Sequence, residues 1–228
     1  MLVILLPGLE GTGDLFDSFI EKTPDGFQTR VISYPPRQIL DYSGYVAYVR
    51  EKLPRNEPFL LLGESFSGPV SILAAAESPP GLRGLILCNT FAVRPAWRIL
   101  RVLPWRLAFS FPIPKYKIGF YLVGRENTGA WADRIRAANR KTPPRVLAHR
   151  IRSVFSVDVR DSLASLQIPV LYLRGTRDRL VWDSSLRRIL ETKPDVHVAR
   201  IGAPHLVLQI APDECWSALS TFCATNCV

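Results

Sequence analysis

Six short runs of the chain are apolar along most of their length: Leu2–Leu6, Arg30–Ser33, Phe59–Leu62, Gly84–Cys88, Pro169–Leu173 and Val196–Ile201. Most lack the polar alternation of a half-exposed strand, which is the pattern of strands covered on both faces in a parallel sheet. Helical periodicity falls between them, at Tyr42–Leu53 (Tyr45, Val46 and Val49 on one side), Gly68–Ala76, Ser184–Leu190 and Pro212–Phe222. Strand and helix alternate, so the crossovers are expected to be right-handed and the domain a doubly wound α/β sheet.

The pattern changes between the fourth and fifth strands. Helices are predicted near Ala96–Phe109, Gly129–Arg140 and Arg145–Phe155, with no apolar strand among them. In the last, Leu147, Ile151, Val154 and Phe155 form one stripe and Arg145, His149 and Arg152 another. Charge separates this segment from the rest. From Val93 to Arg160, fifteen Lys/Arg stand against Glu126, Asp133 and Asp158, leaving +12 of a total of +9, so the remainder of the chain carries −3. The chain therefore divides into a core, residues 1–92 and 161–228, and a basic helical lid, residues 93–160. The lid is expected to have an apolar inner face and a basic outer one. It holds three of the five tryptophans, Trp97, Trp105 and Trp131.

Composition narrows the class. Apolar residues at 47% and charged residues at 21% of 228 exclude a disordered or low-complexity chain. Pro35-Pro36, Pro79-Pro80 and Pro143-Pro144 mark connections between elements. Cys88, Cys215, Cys223 and Cys227 have neither zinc-site nor disulfide-framework spacing, so thiols in a reducing, cytoplasmic setting are expected. Met1–Leu6 lacks a basic flank and a cleavage site and reads as a buried strand rather than a signal peptide. No stretch approaches the ~18 apolar residues of a membrane span. Nothing in the pattern calls for a metal, a cofactor or nucleic acid.

The strongest local signal is Gly63-Glu64-Ser65-Phe66-Ser67-Gly68, between the third strand and a helix of small residues. A serine hydroxyl becomes a useful nucleophile when a tight strand-to-helix turn projects it toward a base and an anion-stabilising pocket. Such a turn crowds the positions two before and two after it. For Ser65 these are Gly63 and Ser67, both small; for Ser67 the second would be Pro69, too bulky there but well suited to the first turn of the helix. Ser65 is the candidate nucleophile, with a simple helix-capping serine as the other reading.

Three histidines could supply the base. His149 lies on the basic lid helix, facing solvent, and His197 lies within the last strand, as a structural residue would. His205 follows that strand in Ala203-Pro204-His205-Leu206, at a strand's C-terminal end, where open α/β sheets place their sites. A carboxylate should orient it. Asp178 sits just past the fifth strand on the same rim; Asp183 is the runner-up and reads as the cap of Ser184–Leu190. Backbone donors for an oxyanion are expected from Phe66, after the nucleophile, and from Leu9 in the loop Pro7-Gly8-Leu9-Glu10-Gly11-Thr12-Gly13. That loop lacks both P-loop and dinucleotide-fingerprint spacing, which argues against a nucleotide.

The Gly63–Gly68 elbow, Asp178, His205, the Pro7–Gly13 loop and the position of the insertion together resemble the α/β-hydrolase superfamily over essentially the whole chain. The resemblance implies a six-stranded, mainly parallel sheet in the order 2-1-3-4-5-6, starting at what resembles the family's third strand, with a lid inserted after the fourth strand of this chain. Pro7, where many members have histidine, and Ser67, in place of the last glycine of Gly-x-Ser-x-Gly, depart from the pattern. The implied function is that of a serine esterase, with Ser65, Asp178 and His205 catalytic, Leu9 and Phe66 as oxyanion donors, and Gly8, Trp97 and Trp131 toward the substrate. A serine nucleophile argues against haloalkane dehalogenase and epoxide hydrolase chemistry, which uses aspartate there. The basic lid suits an acyl group on an acidic acyl carrier protein, as in pimeloyl-carrier methyl ester esterases and carrier thioesterases. A peptidase is less expected, because related proline aminopeptidases bind the substrate amine through cap carboxylates. A non-catalytic binder of acidic partners is the remaining alternative.

Overall fold

The computed structural model describes residues 1–96 and 98–226. Its strands are β1 (Leu2–Leu6), β2 (Gln28–Val31), β3 (Phe59–Glu64), β4 (Leu82–Cys88), β5 (Val170–Gly175) and β6 (His197–Ile201). Its helices are α1 (Asp17–Glu21), α2 (Tyr42–Arg50), α3 (Ser67–Ala76), α4 (Trp105–Phe109), α5 (Lys115–Ile118), α6 (Thr128–Arg140), α7 (Pro144–Val154), α8 (Arg160–Ser165), α9 (Asp183–Thr192), α10 (Val207–Ile210) and α11 (Pro212–Asn226). The strands pair in parallel throughout, in the order β2-β1-β3-β4-β5-β6. β2 begins two residues before the apolar run that announced it. As an edge strand it half-buries alternate residues and exposes the others, so its pairing extends into polar Gln28 and Thr29.

The period-2 geometry of the strands divides the core cleanly. Leu2, Ile4 and Leu6, Phe59 and Leu61, Leu85 and Leu87, and Val170 and Tyr172 pack under α2, α3, α8 and α9. Their neighbours Val3 and Leu5, Leu60 and Leu62, Ile86 and Cys88, and Leu171 and Leu173 pack against Phe16, Phe19 and α11. Both faces are covered, which is why the sequence shows apolar runs rather than alternation.

The inserted segment departs from its expected form in two ways. The single helix expected over Ala96–Phe109 is a 3₁₀ turn, Arg98–Val102, followed by α4; Pro104, immediately before α4, cannot donate to a continuous helix. Its charge is also not confined to an outer face. Arg150, on α7, is fully buried, while Ile99, Val102, Leu103 and Leu107 are exposed. A third apolar cluster joins Ile118, Val123, Trp131, Ile135 and Ala138 to Leu15 and Leu206 of the core.

Arg150 explains much of how α7 sits. Its Nε–H donates to the Tyr45 hydroxyl at 2.7 Å and its Nη1 to the Leu9 carbonyl at 2.8 Å, and its guanidinium lies 5.6 Å and 5.4 Å from the Tyr34 and Tyr45 ring centroids. Gly11 makes room for it: with φ of 75°, a Cβ there would lie 2.2 Å from Arg150 Nη1. The charge also opposes that of buried Glu10. Arg150→Met should lower the unfolding free energy by about 3–5 kcal/mol, because it strands buried polar partners. Arg145→Met, on the exposed side of the same helix, should change it by less than about 0.5 kcal/mol. Urea denaturation of the two variants would measure the contrast.

Candidate active site

The C-terminal ends of β3, β5 and β6 bring three distant side chains together. Ser65 follows β3 with φ of 50°, a left-handed conformation rare for a residue bearing a side chain. It is neither in β3 nor in α3, and its strain is held by its surroundings. Its N–H donates to the Cys88 carbonyl at 2.9 Å, and the Thr90 hydroxyl donates to its carbonyl. The turn is tight enough that a Cβ on Gly63 would lie 2.3 Å from Ser71 Oγ and 2.6 Å from the Ser67 carbonyl oxygen. The Ser65 hydroxyl is 3.0 Å from His205 Nε2, and His205 Nδ1 is 2.9 Å from Asp178 Oδ2. Ser65 retains some solvent access, whereas His205 and Asp178 are buried.

The proton positions follow from the partners. Asp178 Oδ1 accepts from the Leu180 and Val181 N–H groups at 2.7 Å and 3.0 Å, and Oδ2 faces Arg174 Nη1 at 3.3 Å. Burial works to raise the Asp178 pKa, but the His205 ring and these donors outweigh it and hold the carboxyl below its ordinary range. An ionised Asp178 only accepts, so the neutral imidazole carries its proton on Nδ1 and offers Nε2 to the Ser65 hydroxyl. For His205, burial pulls the pKa down, while Asp178, and more weakly Glu64, push harder in the other direction; the result lies above the ordinary histidine value.

The loop after β1 closes over the nucleophile. A Cβ at Gly8 would come 4.0 Å from Ser65 Cβ and 3.0 Å from Glu10 Oε2, so Gly8 stands beside the serine. The Gly8 carbonyl accepts from Gly11 N–H at 3.1 Å, and peptide planarity turns the Leu9 N–H the opposite way. Among the described residues, no hydrogen bond engages the Leu9 or Phe66 N–H. Ser67, which departs from the Gly-x-Ser-x-Gly pattern, ties this loop down: its hydroxyl donates to the Pro7 carbonyl and accepts from the Tyr34 hydroxyl. The Phe66 ring packs against Tyr34, Tyr42 and Tyr45.

Other sequence-derived candidates fall elsewhere. Trp131 is buried in the apolar cluster of α6 under the Arg134 guanidinium, so the structure assigns it to packing. Trp97 lies outside the described residues. Asp183 does not cap α9; its Oδ1 accepts from Arg174 Nε at 2.9 Å, drawn there by a buried cation that needs a second acceptor. His149 does not simply face solvent; it is half-buried, its Nδ1 enclosed. His197 packs its ring edge against Phe222 on the outer strand.

Four residues escaped the sequence reading. Asn89, directly after β4, donates from Nδ2 to the carbonyls of Pro204 and His205 at 3.2 Å and 2.7 Å and accepts Gly175 N–H at 2.8 Å. It joins β4, the end of β5 and the histidine loop in one side chain; its polar Asn-Thr after an apolar run was the available signal. Arg174 holds the Asp178 loop through the Val181 carbonyl at 2.8 Å. Glu64 continues the face of β3 that carries Leu60 and Leu62, so it turns toward α10, where Gln209 Nε2 donates to its Oε1 at 2.9 Å. Burial, reinforced by nearby Glu10, pushes its pKa up to about 7. Glu10 itself is raised by burial, against backbone donors and Arg150. Among the described residues, no His, Cys, Asp or Glu cluster could hold a metal ion.

Residues 35–207 match the sequence profile of the family described as serine aminopeptidase, S33. The chain belongs to that family. It is a hydrolase of the α/β-hydrolase fold. No curated protein matches the sequence significantly. Solved structures similar to it include an esterase from Exiguobacterium antarcticum, at a TM-score of 0.81 and 13% identity over 97% of this chain and 91% of that one. An enol-lactonase from Burkholderia xenovorans LB400 aligns at a TM-score of 0.77 and 16% identity, over 98% and 91% of the two chains. A hydrolase from Pseudomonas aeruginosa PA01 aligns at 0.76 and 21%, over 97% and 89%. At such identities the likeness is one of fold.

The charges around His205 set a measurable order. In an NMR pH titration its imidazole should lose its proton above the ordinary value of 6.5, so the neutral form dominates only at higher pH. Asp178→Asn should lower that midpoint more than Glu64→Gln, since Asp178 is the stronger of the two influences. A midpoint unmoved by Asp178→Asn would contradict this electrostatic account.

Proposed function

We propose that this member of the S33 family is a carboxylic ester hydrolase acting through an acyl-enzyme on Ser65. The reading rests on the continuous contact from Ser65 Oγ through His205 to Asp178, 3.0 Å and 2.9 Å long, beside two N–H groups without internal partners. His205 Nε2 takes the hydroxyl proton as Ser65 Oγ attacks the ester carbonyl carbon. The carbonyl oxygen, now carrying the negative charge, is held by the Leu9 and Phe66 N–H groups, each worth about 3 kcal/mol in the transition state. His205 returns the proton to the departing alkoxide. A water then repeats the sequence on the acyl-enzyme, releasing the acid and restoring Ser65.

A cavity of about 310 Å³ lies between residues 109–113 and helices α6 and α7, lined mainly by apolar groups such as Phe109, Ile113 and Leu147. Thr142 in its wall donates to the Glu10 carbonyl at 2.7 Å, so it adjoins the loop that carries Leu9. It is the proposed acyl compartment. An aminopeptidase role, as the family description suggests, would want a free carboxylate for the substrate amine. The three acids of the insertion are instead paired on the surface: Glu126 with Arg177 at 2.7 Å, Asp133 with Arg136 at 3.6 Å and Asp158 with Arg160 at 2.6 Å. The excess positive charge of the insertion favours a second reading, an esterase or thioesterase drawing acyl groups from an acidic carrier protein. Preference for carrier-linked over free esters, lost at high salt, would mark it.

Hydrolysis of p-nitrophenyl esters of graded chain length tests the main reading. Ser65→Ala should reduce kcat by a factor on the order of 10⁶, with substrate binding retained. Wild-type turnover left intact in that variant would overturn the assignment. Ile113→Trp, which fills the cavity, should shift the preference toward shorter acyl chains; an unchanged chain-length profile would remove the cavity from the substrate path.

A further inference from the structure

We propose that the outer face of residues 99–121, continued by the loop after Asp178, is a docking surface for an anionic lipid membrane. This goes beyond the reaction at Ser65 and does not depend on it. α4 reads Trp-Arg-Leu-Ala-Phe, yet none of its residues is buried. Val102 is 75% exposed, Leu107 60%, Tyr116 71% and Trp182 67%; single exposures of this kind are ordinary, but Ile99, Leu103, Phe111 and Tyr121 are exposed in the same stretch, and their accumulation is not. These side chains are held outward rather than loosely placed. Trp105 stacks on Phe155 with centroids 5.7 Å apart and donates from Nε1 to the Leu100 carbonyl at 2.7 Å, which fixes α4 with Leu107 in solvent.

The C-terminal end of this stretch reaches the rim of the active site. Exposed Phe120 lies under the Arg179 guanidinium, 4.4 Å from its centroid, and Arg179 follows Asp178. The Leu122 carbonyl accepts the Leu206 N–H at 2.9 Å, beside His205. Leu180 and Trp182, both exposed, extend the patch on the core side.

Charge selects the occupant. From Arg94 to Arg125 the sequence contains no Asp or Glu, while Arg101, Arg106, Lys115 and Lys117 are interleaved with the exposed apolar groups. Large apolar and aromatic side chains among Lys and Arg are what a peripheral anchor presents to headgroups and the upper acyl region. A second copy of the chain would bring one strongly basic face against another. An acidic protein would satisfy the charge without requiring so many large apolar groups in water. No helix among the described residues is long and apolar enough to cross a bilayer, so attachment would be at the surface.

Co-sedimentation of the full chain with vesicles tests the proposal, using phosphatidylcholine alone and phosphatidylcholine with about one-third phosphatidylglycerol. Binding is expected to the anionic vesicles, weakened by salt. It should fall about tenfold or more in Val102→Ser/Leu107→Ser and in Arg101→Ser/Arg106→Ser. Ser65→Ala should bind as wild type does, which separates this proposal from the esterase reading. The surface double variants should keep wild-type turnover of a water-soluble ester, which shows that they fold. Failure to bind anionic vesicles, or binding that both double variants leave unchanged, would overturn the proposal. So would capture of an acidic acyl carrier protein without vesicle binding, or lipid-free dimerisation abolished by Val102→Ser/Leu107→Ser.

Discussion

A buried charge is tolerated only with partners, and Asp178 shows how much of this molecule follows from that requirement. Its side chain is removed from water, yet its carboxylate must stay ionised to steer an imidazole. The Leu180 and Val181 N–H groups fix the loop geometry, and Arg174 supplies the cation. Arg174 is in turn buried and satisfied by Val181 and Asp183. The orientation of His205 is therefore set by a chain of paired groups on β5 and the loop that follows it, rather than by one contact.

The same reasoning ties the insertion to the core. Arg150 holds the Leu9 carbonyl, Thr142 the Glu10 carbonyl, and the Leu122 carbonyl receives Leu206 N–H. Each contact ends within a residue or two of a group placed at the site. α6 and α7 thus act as a buttress for the loop after β1 and for the histidine loop. The 99–117 stretch, mostly exposed, is held to the rest of the insertion by the Trp105–Phe155 stack and by Arg136, whose Nε donates to the Ile113 carbonyl.

The sheet was legible because a two-sided parallel sheet writes itself as apolar runs, and the runs at 2–6, 59–62, 84–88 and 169–173 had no competing reading. Ser65 and Asp178 follow such runs and His205 follows the half-exposed run at 196–201, so locating the strands located the rim on which the three meet. Asn89 and Arg174 occupy the same kind of position but carry no reactive group, and only their hydrogen bonds reveal what they do. The insertion was read least well. Helical periodicity assigns a stripe to a face but does not say which face meets the core. Arg150 was lost among fifteen basic residues, although its neighbours Val146, Leu147 and Val154 share its buried side of α7. Trp131 was placed toward the substrate through the family resemblance, whereas its bulk fills the apolar cluster around α6.

Glu10 and Glu64 pose the remaining electrostatic question at the site. With Asp178 they place three carboxyl groups around a centre where an oxyanion would form, and three full charges there would oppose it. The environment divides them. Burial raises both, but Glu10 has backbone donors and Arg150 opposing it, whereas Glu64 has a single amide donor and rises to about 7. Because Glu64 precedes Ser65 in the chain, its ionisation acts in two opposing ways. A charged Glu64 stabilises protonated His205, and it also repels negative charge developing beside Ser65. With a pKa of about 7, Glu64 changes charge in the same range in which His205 becomes able to accept a proton, so both effects vary there with pH. The raised pKa of His205 is then carried chiefly by Asp178, the partner on the far side of the ring from the reacting oxygen.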